Sequence, residues 1–254
     1  LPASALSALQ KELPNASFVD ATGILDGLRS IKSEREIAIM RDGAARILDG
    51  VEAALVAGRP GETTADVAER THSELQERGL HYLYSLVCAG PHFFRAPSRK
   101  RVWESGRPLH IDTGALLSGY VVEICRMGHL GTPSPLADEL LRACIDLREH
   151  ALQMFRTGVP VREVQAHANA FFVESAYGEL GKFIAHGIGL VHHEDPIVSL
   201  ESDHVLEAGM VLSIEMEYRH PDAGHIKVEE LVVVTSDGYE LITPRGERWT
   251  LAEV

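Results

Sequence analysis

From Ser33 the chain falls into a helical rhythm: Ile37, Met40, Ala44, Ile47, Val51 and Leu55 recur every three or four positions until Gly58 breaks the run. Glu36 stands three residues after Ser33, the reciprocal pairing in which each side chain satisfies a backbone N–H of the other, so a helix is predicted to begin there. The pattern predicts a second helix over 63–78, a strand over 82–90 (YLYSLVCAG) and a hairpin-like region over 108–130. Ser134-Pro135 supplies a cap and a proline at the first helical position, and Leu136, Leu140, Cys144 and Leu152 follow along a helix predicted to run up to Gly158. A further helix is predicted over 161–177, and strands beyond it around His186, Glu215 and Glu229.

The same order of elements occurs twice. A long helix, Gly58-Arg59-Pro60, a shorter helix and strands are matched by a long helix, Gly158-Val159-Pro160, a shorter helix and strands, displaced by 100 residues. That period is too long for a solenoid, so two copies would pack around one shared sheet as a pseudo-twofold domain. The alternative is two unrelated helix pairs that share a turn.

Composition narrows the function classes. A chain of 254 residues, 45% hydrophobic and 24% charged, can bury a substantial core within one large domain. The net charge of −13 disfavours sequence-independent binding to nucleic acid or to an anionic membrane. Three cysteines without CxxC spacing suggest neither a disulfide framework nor a zinc ribbon, and a reducing cytoplasm fits them. No apolar run reaches the roughly 18 residues of a membrane span.

Candidate chemistry concentrates in FIAHGIGLVHHEDPIV, residues 183–198, where Gly187 and Gly189 allow close approach beside His186 and the polar cluster His192, His193 and Glu194 follows. Elsewhere single acids interrupt apolar strands: Asp112 in LHIDTGALLSGY, Glu123 in YVVEICR, Glu215 in MVLSIEMEY and Glu229 in HIKVEELVVVT. A buried carboxylate without a partner loses its hydration uncompensated, and a shared cation would remove that cost. Asp112 and Glu123 come from the first half, His186, Glu215 and Glu229 from the second, as a site at the junction of the halves requires.

Taken in order, these motifs resemble those of the creatinase, prolidase and aminopeptidase P family, together with LPNASFVDATGILDGLRSIKSEREIAIMR at 13–41. The resemblance implies the pita-bread fold, an α+β architecture of two αα-β halves around a curved antiparallel sheet. It implies a catalytic domain over 31–254, with residues 1–30 as the remnant of a linker from an N-terminal domain, and a homodimer. By position, Asp112, His186, Glu215 and Glu229 match metal ligands of the family, and Glu123 stands where relatives carry a second aspartate. His193 matches a histidine that contacts substrate; it and Glu215 are the expected catalytic groups. His192 is expected to face outward or serve structure, and Arg126 to pair with the acidic cluster.

Two departures bear on function. Glu123 adds a methylene to a bridging position, which bears on whether one or two metals bind. Seventeen residues before Asp112, where peptidase relatives carry a histidine, this chain has Arg95, expected to clamp an anionic substrate group; His92 is read as a loop residue packing near Phe93 and Phe94. The ligand set suits one or two ions of manganese, iron, cobalt or zinc. The expected activity is metal-dependent hydrolysis of an Xaa-Pro dipeptide, a peptide or a related small amide, with a small peptide or amide as the partner and neither nucleic acid nor membrane. The alternatives are creatinase-like hydrolysis of a non-peptide C–N bond without metal, and a noncatalytic pita-bread binding module.

Overall fold

The structure is a computed structural model that describes residues 2–243 and 246–252. Helices α1 (Ala3–Glu12) and α2 (Thr22–Ser30) precede the first predicted element; the sequence reading assigned no element there. Helix α3 (Glu34–Val56) starts at the predicted cap: the Ser33 N–H donates to Glu36 Oε2 at 2.7 Å and the Glu36 N–H to Ser33 Oγ. Helix α4 (Thr64–Glu77) opens on a second capping box, Thr63 with Asp66. Then come β1 (His81–Ala89), β2 (Pro108–Leu117) and β3 (Tyr120–Leu130). Ser118 and Gly119, both at positive φ, form the two-residue turn between β2 and β3, the geometry that matches the twist of paired strands.

In the second half, α5 (Pro135–Leu152) stops six residues before Gly158. Met154 and Phe155 donate to carbonyls three residues back, which tightens the last turn, and Gly158 takes φ 90° to redirect the chain. Helix α6 (Val161–Glu174) ends three residues short of the predicted 177. Strands β4 (Gly181–Gly187), β5 (Glu194–Ile197), β6 (Val211–His220), β7 (Gly224–Val234), β8 (Tyr239–Leu241) and β9 (Thr250–Ala252) complete the described chain.

The main sheet runs β1-β2-β3-β7-β6-β4-β5 and is antiparallel along this path; β8 pairs with β7, and β9 lies parallel to β3. Outward from the β3–β7 contact, the order β3, β2, β1 is mirrored by β7, β6, β4, which is the pseudo-twofold arrangement implied by the repeated helix pairs. Alternation then sends each strand's apolar residues to the helices. Leu109, Ile111, Val122 and Ile124 pack with Ile47, Val51 and Leu55 of α3 in one core, and Leu212, Ile214, Met216, Ile226 and Val228 with Leu140, Cys144 and Leu147 of α5 in the other. The opposite set of positions is left for chemistry.

Candidate metal centre

Strand register collects the predicted residues on one sheet face. Asp112 on β2 lies opposite Cys125 on β3, Cys125 opposite Glu229 on β7, and Glu229 opposite Glu215 on β6. Glu123 is two residues from Cys125, and His186 on β4 is opposite Ser213, two residues from Glu215, so both share that face. Asp112, Glu123, His186 and Glu229 are buried, and Glu215 is nearly so.

The cluster has two sides. On one, the Lys227 ammonium lies 2.5 Å from Asp112 Oδ2, 2.6 Å from Glu215 Oε2 and 2.9 Å from Glu229 Oε2, while Arg95 Nη1 donates to Asp112 Oδ2 at 2.7 Å. On the other, His186 Nε2 is 3.5 Å from both Glu123 Oε1 and Glu215 Oε1. Neither His186 Nε2 nor Glu123 Oε1 makes a hydrogen bond, although both are buried. Two unpartnered lone-pair atoms directed into a carboxylate cluster are what a divalent-ion site presents, so the donor set fits a metal on the His186 side. There Glu123, His186 and Glu215, with Glu229 beside them, could hold it.

The sheet supplies the supports. Tyr84 donates from its hydroxyl to Glu123 Oε2 at 3.0 Å, and His192 Nε2 contacts the same oxygen. Tyr84 reaches across because its neighbour is Gly114, whose Cβ, were there one, would come within 2.4 Å of the tyrosine ring. Gly187 and Gly189 do as anticipated: a Cβ at 187 would meet the Asp195 carbonyl at 2.5 Å, and one at 189 would meet Glu194 Oε1 at 2.5 Å. Glu194 forms a buried ion pair with Lys32, pinning the histidine segment to the chain entering α3.

Charge follows from this packing. Burial alone would push Glu215 up, but Lys227 and His186 hold it well below the usual carboxylate range. Glu123 is likewise lowered despite burial, by His192 and His186. For Glu229, burial together with the neighbouring acids outweighs Lys227 and raises it well above normal. Burial depresses His186, yet its contacts with Glu215 and Glu123 leave it raised, while His193 is lowered by burial and by the neighbouring His186 and His192 rings.

Some expectations need correction. Of the two roles expected for His192, facing outward or serving structure, the second holds: β4 ends at Gly187, and the irregular segment that follows brings the partly exposed His192 ring onto Glu123 and Tyr84. Arg126 does not join the acidic cluster. Adjacent to Cys125 in β3, it faces the helices and pairs with Glu230 Oε2 at 2.9 Å. Arg95 sits against Asp112 with 29% of its side chain exposed; His92 is exposed in the loop, its carbonyl accepting from the Cys88 thiol. His193 lies beside His186, ring centroids 3.9 Å apart, at the open edge of the cluster. Tyr84 and Lys32 were missed; Tyr84's place in the alternation of β1 was the available signal, and Lys32 offered none.

The fold and the site together define a class: a pita-bread domain with an acidic, histidine-bearing centre on its sheet. The family model described as metallopeptidase family M24 matches residues 38–236, and the chain belongs to that family. An uncharacterized peptidase of Staphylococcus aureus strain USA300 is 29% identical over 248 residues, covering 93% of this chain and 70% of the relative. Among solved structures, the Xaa-Pro dipeptidase from Bacillus anthracis superposes with a TM-score of 0.88 at 30% identity, over 99% of this chain and 72% of that one. The prolidase from Pyrococcus horikoshii superposes at 0.87 with 27% identity, over 98% and 74%. The chain is thus a peptidase of the M24 type, and no helix among the described residues is long and apolar enough to cross a membrane.

Proposed function

We propose that this chain is a metal-dependent hydrolase of Xaa-Pro dipeptides or closely related small amides, with one divalent ion held by Glu123, His186, Glu215 and Glu229. The observation that carries this reading is the pair of buried, unpartnered atoms, His186 Nε2 and Glu123 Oε1, 3.5 Å apart in the carboxylate cluster. Likeness to the Xaa-Pro dipeptidase from Bacillus anthracis supports the substrate class.

When bound, a divalent ion supplies a Lewis acid and water acidified toward neutrality. The chain supplies the rest. Glu215, held anionic by Lys227, accepts the proton released on attack at the amide carbonyl and returns it to the departing nitrogen. His193, at the open edge, donates a hydrogen bond to the oxygen on which charge develops. Arg95, partly exposed beyond its contact with Asp112, binds the substrate carboxylate and fixes the scissile bond over the cluster. Tyr84 and His192 hold Glu123 in place.

The Lys227 contacts favour a second reading, in which the ammonium is the only cation required and a small C–N bond is cleaved without metal. One experiment separates them. Protein stripped with chelator should lose cleavage of an Xaa-Pro dipeptide, regain it with manganese or cobalt, and show a lower thermal midpoint without metal, because an ion that binds only the folded state stabilises it. His186→Ala should abolish the recovery of activity and the stabilisation given by manganese. A stripped protein that keeps its activity and midpoint rules out the metal reading.

A further inference from the structure

A second set of ligand-type side chains lies on the same sheet face, outside the cluster described above. Cys88 on β1 is paired directly with His110 on β2, and His225 on β7 meets His110 edge to face with ring centroids 4.6 Å apart. One ligand atom from each of the three lies within 4.8 Å of the other two, and all three residues are buried.

Their hydrogen bonds leave each imidazole one free nitrogen. His225 Nε2 lies 2.9 Å from Glu217 Oε2, which accepts its proton, so the lone pair resides on Nδ1. His110 Nδ1 lies 3.2 Å from the His225 carbonyl, which fixes its proton there and leaves the lone pair on Nε2. These two remaining atoms, His225 Nδ1 and His110 Nε2, have no hydrogen-bond partner. Leaving two buried acceptors unsatisfied is costly. An imidazole whose far nitrogen donates to a carboxylate or a backbone carbonyl is also the usual outer arrangement around a metal-bound histidine.

We propose that Cys88, His110 and His225 form a distinct structural site for a borderline-soft divalent ion of the zinc class. Two imidazole nitrogens and a thiolate are ligands that such an ion prefers over the hard, oxygen-rich cluster around Glu123 and Glu215. Binding releases the Cys88 thiol proton to solvent, and breaks the thiol's bond to the His92 carbonyl at 2.7 Å. That carbonyl or a water takes the fourth position. The thiolate and the Glu217 carboxylate together balance the two charges of the ion, and Arg219 pairs with the other Glu217 oxygen, Oε1, at 3.0 Å.

The site also has a purpose in the fold. Residues 90–98 follow the end of β1 at Ala89, one residue past Cys88, and carry Arg95, whose carbonyl accepts from the Val87 N–H at 2.7 Å. An ion anchored on Cys88, His110 and His225 ties β1 and β2 to β7 beneath this loop, and so sets where Arg95 stands over Asp112.

The test uses the full chain, stripped of metal and titrated with cobalt(II), whose thiolate complexes show a near-ultraviolet charge-transfer band that oxygen and imidazole ligands cannot give. The band is expected in the parent protein, in His186→Ala and in Cys125→Ser, which removes the thiol nearest the acidic cluster, and is expected to vanish in Cys88→Ser. Zinc should displace the cobalt, and zinc-edge absorption should show one sulfur neighbour at about 2.3 Å. Glu217→Gln, which keeps the side-chain shape, should weaken zinc binding by about 10–100-fold. Absence of any sulfur ligand in the parent protein with excess zinc or cobalt overturns the proposal, as does a band that survives in Cys88→Ser. Because the His186→Ala protein reports on this site alone, its result does not depend on whether the acidic cluster binds metal.

Discussion

At the scale of single residues, Lys227 has the largest consequence. Its ammonium contacts three of the five residues matched to the family's metal ligands, and Arg95 places a second positive charge on Asp112. Two fixed cations on one side of the cluster oppose a metal there by like-charge repulsion, whereas among the described residues no lysine or arginine pairs with Glu123 or His186. Replacing Lys227 with Met should therefore raise tightly bound manganese from one equivalent to two, read by elemental analysis. It should also destabilise the metal-free protein by about 3–5 kcal/mol, since the buried carboxylates lose their partner. A single equivalent in that variant would assign the stoichiometry to Glu123 instead. Arg95 has a separate signature. Arg95→Ala should raise KM for dipeptides with a free C-terminal carboxylate at least tenfold and leave the corresponding C-terminal amides nearly unchanged; equal losses on both would show that Arg95 serves only to orient Asp112.

At the scale of elements, the start of α3 shows how local chemistry fixes the entry to the domain. Glu36 closes the cap with Ser33 and accepts a 2.7 Å hydrogen bond from Tyr120 at the start of β3, so one carboxylate joins helix to hairpin. The Tyr120 and Ser33 hydrogen bonds hold Glu36 below its ordinary value of 4.5, outweighing the small effect of burial. A carboxyl lowered by folding contributes stability that is fully present above 4.5 and is lost as pH falls through the lower folded value. Tyr120→Phe should accordingly cost about 1 kcal/mol at neutral pH. The gap between parent and variant in denaturant titrations should shrink once the solution is acid enough to protonate Glu36. A gap independent of pH would mean that the phenol ring, not its hydroxyl, matters.

At the scale of the molecule, the two halves are joined by more than the β3–β7 contact. Glu230 on β7 accepts from Arg126 on β3, from Arg148 on α5, from Thr243 Oγ1 at 2.7 Å and from the Gly246 N–H at 2.7 Å. Arg126 belongs to the first half and Arg148 to the second, so this buried acid holds the helix side of the sheet as the candidate metal centre holds the other. Truncating one member of a buried charge network leaves its partners uncompensated. Glu230→Ala should lower global stability by about 3–5 kcal/mol without changing which metals bind, measured by chemical denaturation of the metal-loaded protein. A loss below about 1 kcal/mol would show that water replaces the carboxylate.

The four long helices α3 to α6 and the strands that carry the site, the doubled architecture and the identity of the acidic cluster were legible in the chain because each rests on local chemistry. Ser33 and Thr63 cap their own helices, apolar spacing marks the buried faces, and Asp112, Glu123, Glu215 and Glu229 stand out as single charges in apolar strands. Period-two alternation further places Lys227 on the face of Glu229. Whatever depended on pairing between distant segments was not legible. No sequence spacing reveals that Gly114 makes room for Tyr84 on Glu123, that Lys32 reaches Glu194 across 162 positions, or that Cys88, His110 and His225 meet. Arg126 was misplaced, and the contact made by His192 was not foreseen. His192 lies beyond the end of its strand, where alternation no longer governs direction, and Arg126, three residues from Glu123, falls by alternation on the opposite face, where Glu230 and Arg148 are packed. Local hydrogen bonding and hydrophobic periodicity determine the elements; only the register of the assembled sheet decides which charges become neighbours.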